Sequence, residues 1–381
     1  MNAPQTLQTK RKYYLDIARV IAIISISLNH AVNRSYANYA GQMKEFYSIP
    51  LWSTIFKTVI SVFSRIGVPL FLMITGILLL NKIIESPRDI KKFYKHNLWG
   101  VFITTEVWLV LIYFFMEFLG DSSILRSQGV WASIDGLLRT MLFVDQRTFG
   151  SLWYMPMILC IYTTLPFVVV VKDKLSEGKF SCAVLLPVIL VYIVTMVFPA
   201  INALLMLNGK PTWSADLKES NLFSMYYLYI LTGYFVGQGG LSRWKGWLVG
   251  LLTALSFGLC CGMQFYAYSR PAQYLVAYSF PLMPVCAGLL LELLRRGAEK
   301  LRRVERPVTY LSRIAFGIYF MHMMVMTVVN SDYVDRWLHY GAWEPALKTL
   351  FLEVVSVGVS IPLIAVLSKI KVLRKYLFMV K

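Results

Sequence analysis

The chain has 381 residues, of which 57% are hydrophobic and only 15% are charged. This composition excludes an ordinary soluble domain and indicates a polytopic membrane protein. The formal net charge is +18, but the basic residues are spread over many short segments and accompany no nucleic-acid motif. We therefore expect no nucleic-acid partner, and we expect the lipid bilayer to be the partner of this charge.

Ten charge-poor runs are long enough to cross a bilayer, which takes about 17–25 apolar residues in a helix. Their lengths do not match the short alternating strands of a membrane barrel. The predicted fold class is therefore all-α: a polytopic helical bundle of about ten transmembrane helices. The predicted spans are 14–33, 56–80, 97–119, 152–171, 181–200, 222–240, 246–268, 275–294, 312–330 and 346–368.

The distribution of lysine and arginine orients this predicted bundle. With the N-terminus in the cytoplasm, most of the 38 basic residues fall in cytoplasmic segments, which favours both termini inside and an even number of spans. We expect residues 1–381 to form one transmembrane domain, with 120–151 as an extracytoplasmic loop over the mouth of the bundle. The five cysteines lack metal-ligand or disulfide spacing, so they are expected to be apolar filler and no metal is expected.

Two ionisable residues of the first predicted helix carry the strongest functional signal. Arg19 and His30 are eleven residues apart, so they share one helix face and lie about 16 Å apart along the axis. Ionisable groups inside a membrane are costly and mark function. Arginine suits a phosphate and histidine suits proton transfer. An extended acyl-CoA fits this spacing. Asp16 can pair with Arg19, either to orient it or as a purely structural ion pair.

The second predicted span contains Arg65 at a third to half of the membrane depth. A guanidinium at that depth must face protein or a water-filled cavity. Gly67 and Pro69 are expected to open backbone groups nearby, which a bound thioester carbonyl could satisfy. The alternative is that Arg65 is a structural partner of Glu106.

Asp16, Glu106 and four further residues are candidates for substrate-binding or supporting roles. His322 lies in the middle of a predicted span, with Tyr319 one turn earlier on the same face; the alternative for His322 is an interhelical hydrogen bond. Trp153 and Tyr154 open the fourth span, either as residues of an aromatic belt or as a platform for a sugar ring.

With those residues in view, the chain resembles the membrane acyltransferase-3 family, and most of all its branch of bacterial surface-glycan O-acetyltransferases of the enterobacterial common antigen type. The resemblance rests on the Arg-x10-His of Arg19 and His30 and on segments 64–76, 151–166 and 311–322. It covers nearly the whole chain. The Arg-x10-His stretch and segment 64–76 are its more specific parts.

The resemblance implies that a cytoplasmic acyl-CoA donates an acyl group, most often acetyl, to a hydroxyl of a cell-surface or lipid-linked saccharide. It makes His30 the essential histidine, Arg19 its paired arginine, and the bacterial inner membrane the expected location. Relatives often carry Arg-x-x-Arg after the second span; Lys92 and Lys95 stand nearest to those positions here. Glycan-assembly or export proteins are the expected protein partners.

In the mechanism expected from these residues, Arg19, Lys92 and Lys95 hold the phosphates of the donor. His30 acts as general base or first accepts the acyl group, and Arg65 steadies the developing oxyanion. Three alternatives stay open: a proton-coupled transporter or flippase of a lipid-linked or polysaccharide substrate, a different membrane acyltransferase family, and a non-catalytic partner in polysaccharide export.

Overall fold

The computed structural model describes residues 12–37, 47–119, 123–143, 150–176, 188–189, 191–212, 224–270, 275–339 and 343–379. Within these ranges the chain is helical and has no strands, which confirms the predicted all-α class. The helices are α1 Tyr13–Ser35, α2 Leu51–Ser64, α3 Gly67–Leu79, α4 Pro87–Phe93, α5 Trp99–Leu119, α6 Ile124–Gln128, α7 Val130–Met141, α8 Tyr154–Ser176, α9 Phe198–Leu207, α10 Tyr226–Gly237, α11 Gly246–Tyr268, α12 Leu282–Gly297, α13 Glu305–Val329, α14 Asp332–Leu338, α15 Pro345–Leu367 and α16 Lys371–Tyr376.

Seven continuous helical stretches in the described part of the chain are long and apolar enough to cross a membrane. The protein is therefore an all-α, multi-pass membrane protein. The count of ten spans and the placement of both termini in the cytoplasm stay predictions. The seven stretches are Tyr13–Ser35, Leu51–Leu79, Pro87–Leu119, Tyr154–Asp173, Gly246–Tyr268, Leu282–Val329 and Pro345–Leu367.

The other predicted spans differ from the structure in length or continuity. The run 222–240 forms only the 12-residue α10. Of the run 181–200, residues 181–187 and 190 lie outside the described residues, and the apolar helical stretch here is Ile193–Leu207. The runs 275–294 and 312–330 lie in one long stretch, α12 through α13, because the basic connection between them also folds as helical turns, Ala298–Val304.

The helix α1 is central to the bundle, where it packs against α2, α3, α13 and α15. The most extensive helix pair is α3 with α10, and glycines make their close approach possible. A Cβ atom at Gly76 would collide with the Ile230 backbone, and one at Gly233 would collide with the Met73 backbone. In a membrane such small residues favour helix association, because they let two backbones come into contact.

The predicted loop 120–151 contains two helices, α6 and α7, and its residues 120–122 and 144–149 lie outside the described ranges. The longer of the two is α7. It packs on α5, where the Tyr113 hydroxyl donates to the Ser133 carbonyl at 2.7 Å. The Glu117 carboxylate accepts from the Leu125 backbone N–H at 2.8 Å and so holds the start of α6. Coverage of the bundle mouth by this segment stays a prediction.

The C-terminal segment folds back onto the bundle after α16. Leu377 and Phe378 are buried, and the Trp108 indole N–H of α5 donates to the Leu377 carbonyl at 2.8 Å. Trp108 also stacks on Phe320 of α13, with ring centroids 5.0 Å apart. The segment around Leu377 is thereby anchored to α5, which in turn packs on α13.

Candidate active site

Two histidines from distant parts of the chain meet where α1 packs on α13. The rings of His30 and His322 have their centroids 5.5 Å apart, at an interplanar angle of 40°. His322 is fully buried, whereas His30 is partly exposed. The Nδ1 of His322 lies 2.9 Å from the Ile318 carbonyl of its own helix, so the described contacts include no interhelical hydrogen bond of His322. The Arg34 guanidinium, one turn beyond His30, donates to the Thr327 hydroxyl at 2.9 Å.

The second predicted span is interrupted at Arg65 and Ile66, between α2 and α3. Tightened turns hold the chain locally at this break, and the expectation that Gly67 and Pro69 open backbone groups stays a prediction. The Arg65 N–H donates to the Val62 carbonyl at 3.2 Å and the Ile66 N–H donates to Phe63 at 3.0 Å. Pro69 falls in the first turn of α3, where a missing N–H costs little.

The side chain of Arg65 is held by α1 and by an aromatic ring. Its Nε donates to the Asn29 Oδ1 at 3.1 Å, and the Ser64 hydroxyl donates to the same oxygen at 3.1 Å. The guanidinium carbon lies 5.7 Å from the centroid of the Tyr278 ring. Since Asn29 directly precedes His30, these contacts fix a cation beside the histidine pair.

A chain of aromatic side chains in contact with one another leads from His322 to Arg65. The centroid of Tyr319 lies 6.3 Å from that of His322, and Tyr154 lies 6.0 Å from Tyr319. Trp153 adjoins Tyr154 at 6.3 Å and Tyr278 at 5.5 Å. The contacts close into a circuit, which we call the polar ring. Its members are Asn29, His30, His322, Tyr319, Tyr154, Trp153, Tyr278 and Arg65.

This arrangement assigns Tyr154 to the interior of the bundle and not to an aromatic belt, because it is buried against Tyr319. Trp153 is partly exposed and lies between Tyr154, Tyr278 and Tyr226. A ring edge there is available for contact with a sugar.

Arg19 lies near the other end of α1, in the predicted ion pair. Its NH1 donates to the Asp16 Oδ1 at 3.1 Å, and the buried Asp16 also accepts from the Ser312 hydroxyl at 2.7 Å. Tyr162 of α8 faces both Arg19 and Thr75 of α3, which sets Arg19 level with the last turns of α3. The predicted pairing of Asp16 with Arg19 is confirmed, and α1 carries a held cation near its start and a histidine near its end.

Lysines gather just beyond α3, at the same end of the bundle as Arg19. Lys92 and Lys95 are exposed, and Lys95 belongs to a wide helical turn, Tyr94–Leu98, of the π type that often marks functional segments. The Lys82 ammonium donates to the Asn97 Oδ1 at 3.1 Å. Burial and the nearby charge of Lys92 lower the pKa of Lys82. Lys82 and Lys92 therefore lie near each other at this end of the bundle.

Glu106 is not joined to this site by any described contact. Both of its carboxylate oxygens are buried and have no hydrogen-bond partner in the described part of the chain. The alternative in which Glu106 is the structural partner of Arg65 is therefore not what the structure shows, since Arg65 contacts Asn29 and Tyr278.

Three residues of the site were missed in the sequence. Asn29 and Tyr278 are neutral and common, and carry no signal of their own. Glu353 does carry one, because a lone carboxylate in an apolar span is rare. It is 9% exposed and faces Ser27 of α1. Its depth matches that of the histidines, because its neighbour Leu352 packs with Ala31 and Met326.

The site thus combines a histidine that is open on one side with a cation fixed by hydrogen bonds, inside a helical bundle. A base beside a fixed cation suits acyl transfer, where a hydroxyl loses its proton and a carbonyl oxygen gains charge. A family model described as an acyltransferase domain matches residues 12–365. The chain belongs to this acyltransferase-3 family. No curated protein and no solved structure matched the chain in the same comparisons.

Membership of the family makes acyl transfer the general reaction class of this membrane protein. The match includes both helices of the histidine pair, the break at Arg65 and the whole polar ring. The resemblance to an acyltransferase family is therefore confirmed. The particular branch, the acyl donor and the acceptor stay predictions.

Proposed function

We propose that this protein transfers an acyl group, acetyl in the first instance, from cytoplasmic acetyl-CoA to a hydroxyl of a cell-surface or lipid-linked saccharide. The observation that carries the proposal is the contact of His30 with His322 inside the polar ring. The helix that carries His30 also holds Arg19, about 16 Å away along its axis. One helix thereby offers a phosphate-binding cation and a base at a spacing that suits the extended arm of CoA.

In the proposed reaction the donor phosphates lie near Arg19, Lys92 and Lys95, and the thioester reaches the level of His30. The hydroxyl proton passes to His30 while the hydroxyl oxygen attacks the thioester carbonyl. Arg65 stabilises the negative charge that develops on the carbonyl oxygen of the thioester. The carbon–sulfur bond then breaks, and the CoA thiolate takes the proton back from His30. An order in which His30 first carries the acyl group uses the same residues.

The proposal places the protein in the bacterial inner membrane, where CoA is on one side and surface glycans are assembled on the other. The acceptor would meet the polar ring, where Trp153 and Tyr278 offer aromatic surfaces for a sugar. Glycan-assembly or export proteins would supply the acceptor as separate partners. No metal is required for the proposed chemistry.

The test is transfer of radiolabelled acetyl from acetyl-CoA in proteoliposomes supplied with cell-envelope glycan. We expect His30→Ala and Arg19→Ala to lose turnover. Matched controls are His339→Asn, at an exposed position whose left-handed backbone, φ 47°, asparagine tolerates, and Arg139→Ala. The Arg139 ion pair with Asp135 is exposed on both sides and so contributes little.

The alternatives give different results in the same assay. A proton-coupled transporter or flippase would move its substrate without CoA and would release no free CoA thiol. A non-catalytic export partner would leave acetyl transfer intact after His30→Ala. Full turnover of His30→Ala in this assay would refute the proposal.

A further inference from the structure

The Nε2 atom of His322 is a buried nitrogen with no hydrogen-bond partner in the described structure. The residue is fully buried. Buried polar atoms in native proteins are nearly always paired, so an orphaned one calls for an explanation. Leaving such a group unpaired is costly, because its contact with water is lost and not replaced. The position of this atom beside His30 suggests what the group is for.

The opposite nitrogen of the ring decides the chemical character of Nε2. Nδ1 lies 2.9 Å from the Ile318 carbonyl oxygen, and a carbonyl oxygen only accepts hydrogen bonds. Nδ1 therefore carries the proton and donates. In a neutral imidazole the other nitrogen then has a lone pair. Nε2 of His322 is thus a fixed acceptor that needs an N–H or O–H donor.

His30 is the ring beside this acceptor. The two centroids are 5.5 Å apart, a separation at which a nitrogen of each ring comes within hydrogen-bond reach, up to about 3.2 Å, when the two nitrogens face each other. His30 is partly exposed and His322 is sealed. A hydroxyl substrate therefore reaches His30, and His322 stands behind it.

We propose that His322 is a positioning residue for His30. This inference rests on the acyl transfer proposed above, in which His30 is the base. The Nε2 of His322 accepts a hydrogen bond from one nitrogen of His30. This bond fixes the tautomer of His30, so that its second nitrogen presents a lone pair to the acceptor hydroxyl. It also stabilises the positive charge that His30 gains when it takes the hydroxyl proton. His322 itself neither gains nor loses a proton.

Three substitutions separate this role from simple packing. In His322→Gln the amide oxygen can take the place of Nε2 and accept from His30. In His322→Asn the shorter amide can still donate to Ile318, but it offers no acceptor at the Nε2 position. His322→Phe keeps a ring and removes both polar atoms. We expect Gln to keep kcat within about tenfold of the wild type, and Asn and Phe to lose about 10²-fold or more.

The Michaelis constants of the three variants give a second measurement that distinguishes positioning from packing. We expect the KM for acetyl-CoA to stay within about twofold in all three variants, because His322 is predicted to touch no donor atom. Equal kcat losses for Gln and Asn would overturn the proposal. So would a raised KM with unchanged kcat, which would make His322 a direct contact of the substrate.

The tautomers of the histidines can be measured in the wild-type protein, with variants used only for assignment. The chain has 4 histidines, so selective 15N-histidine labelling gives a spectrum that His30→Ala and His322→Gln can assign. The proposal requires His322 with its proton on Nδ1 and a single tautomer for His30. A proton on Nε2 of His322, or a mixture of tautomers at His30, would overturn it.

This inference and the proposed function fail in different ways. If His30→Ala keeps full acetyl transfer, the assignment of the base is wrong and the function must be reconsidered. If His30→Ala is inactive while His322→Phe keeps its kcat, the function stands and only the positioning role of His322 is refuted.

Discussion

Asn29 offers a sharp test of the site, because one amide oxygen joins α1 to the break between α2 and α3. It accepts from the Arg65 Nε and from the Ser64 hydroxyl, each at 3.1 Å. The substitution Asn29→Ala removes both contacts, including the hydrogen bond that ties the Arg65 Nε to α1. The fold should survive this change, because α1 keeps its packing against α2, α3, α13 and α15.

The magnitude follows from the two bonds. A hydrogen bond to a charged group contributes about 1.5–3 kcal/mol and a neutral one about 0.5–1.5 kcal/mol. Polar contacts between membrane helices measure lower, about 0.6 kcal/mol on average. We therefore expect a loss of roughly 1–3 kcal/mol. If Arg65 steadies the transition state, this loss lowers kcat by about 10- to 100-fold.

The assay is acetyl transfer in proteoliposomes with kcat and KM determined separately, together with thermal unfolding of each variant. Asn29→Asp keeps both acceptor positions and should hold kcat within a few-fold. Ser64→Ala is the matched control, because it removes the neutral hydrogen bond to Asn29 and leaves the bond from Arg65 in place. The Ser64 hydroxyl divides its donation between Asn29 and the Ser61 carbonyl, which lies at 2.8 Å. A folded Asn29→Ala variant with undiminished kcat would refute the role of Arg65 at the reacting carbonyl.

Three further predictions concern the frame of the site. Gly76→Val should lower the unfolding free energy by at least about 1–3 kcal/mol, because the new side chain meets the backbone of α10. Gly250→Val is the control: a Cβ atom at that position has no neighbour within 4 Å, so this variant should unfold like the wild type in the same thermal scan. Asp16→Asn should raise the KM for acetyl-CoA by about three- to tenfold with kcat unchanged, because the partly exposed Arg19 side chain loses the negative charge that orients it. An unchanged KM would speak against a contact of Arg19 with acetyl-CoA. Trp108→Phe removes the indole donor to the C-terminal segment at 2.8 Å and should cost about 1–3 kcal/mol in chemical unfolding, whereas an unchanged midpoint would show that the segment is not anchored there.

Much of the fold could be read from the sequence, because the cost of exposing backbone to lipid makes long apolar runs helical. The runs that became α1, α8, α11 and α15 were predicted within a few residues of their bounds. The run 56–80 was predicted as one span, but the structure has a break at Arg65 and Ile66, just before Gly67 and Pro69. Local turns decided its position, and apolar periodicity does not report on these.

The site could be predicted where partners lie on one helix. Asp16 with Arg19, and Tyr319 with His322, are both three residues apart, so helix geometry alone brings them together. Contacts between helices depend on how each helix is rotated in the bundle. The meeting of His30 with His322 was therefore outside the reach of sequence reasoning.

Arg65 shows why the rest of the site required a structure. Its membrane depth marks it as a group that needs a partner, and that much follows from the cost of a charge in lipid. A search of the sequence for that partner turns to charged residues and finds Glu106, but Arg65 instead contacts Asn29 and Tyr278. A neutral amide and an aromatic face hold the guanidinium in place. A cation that is positioned before the reaction can stabilise the oxyanion of acyl transfer, so these unexpected partners fit the role proposed for Arg65.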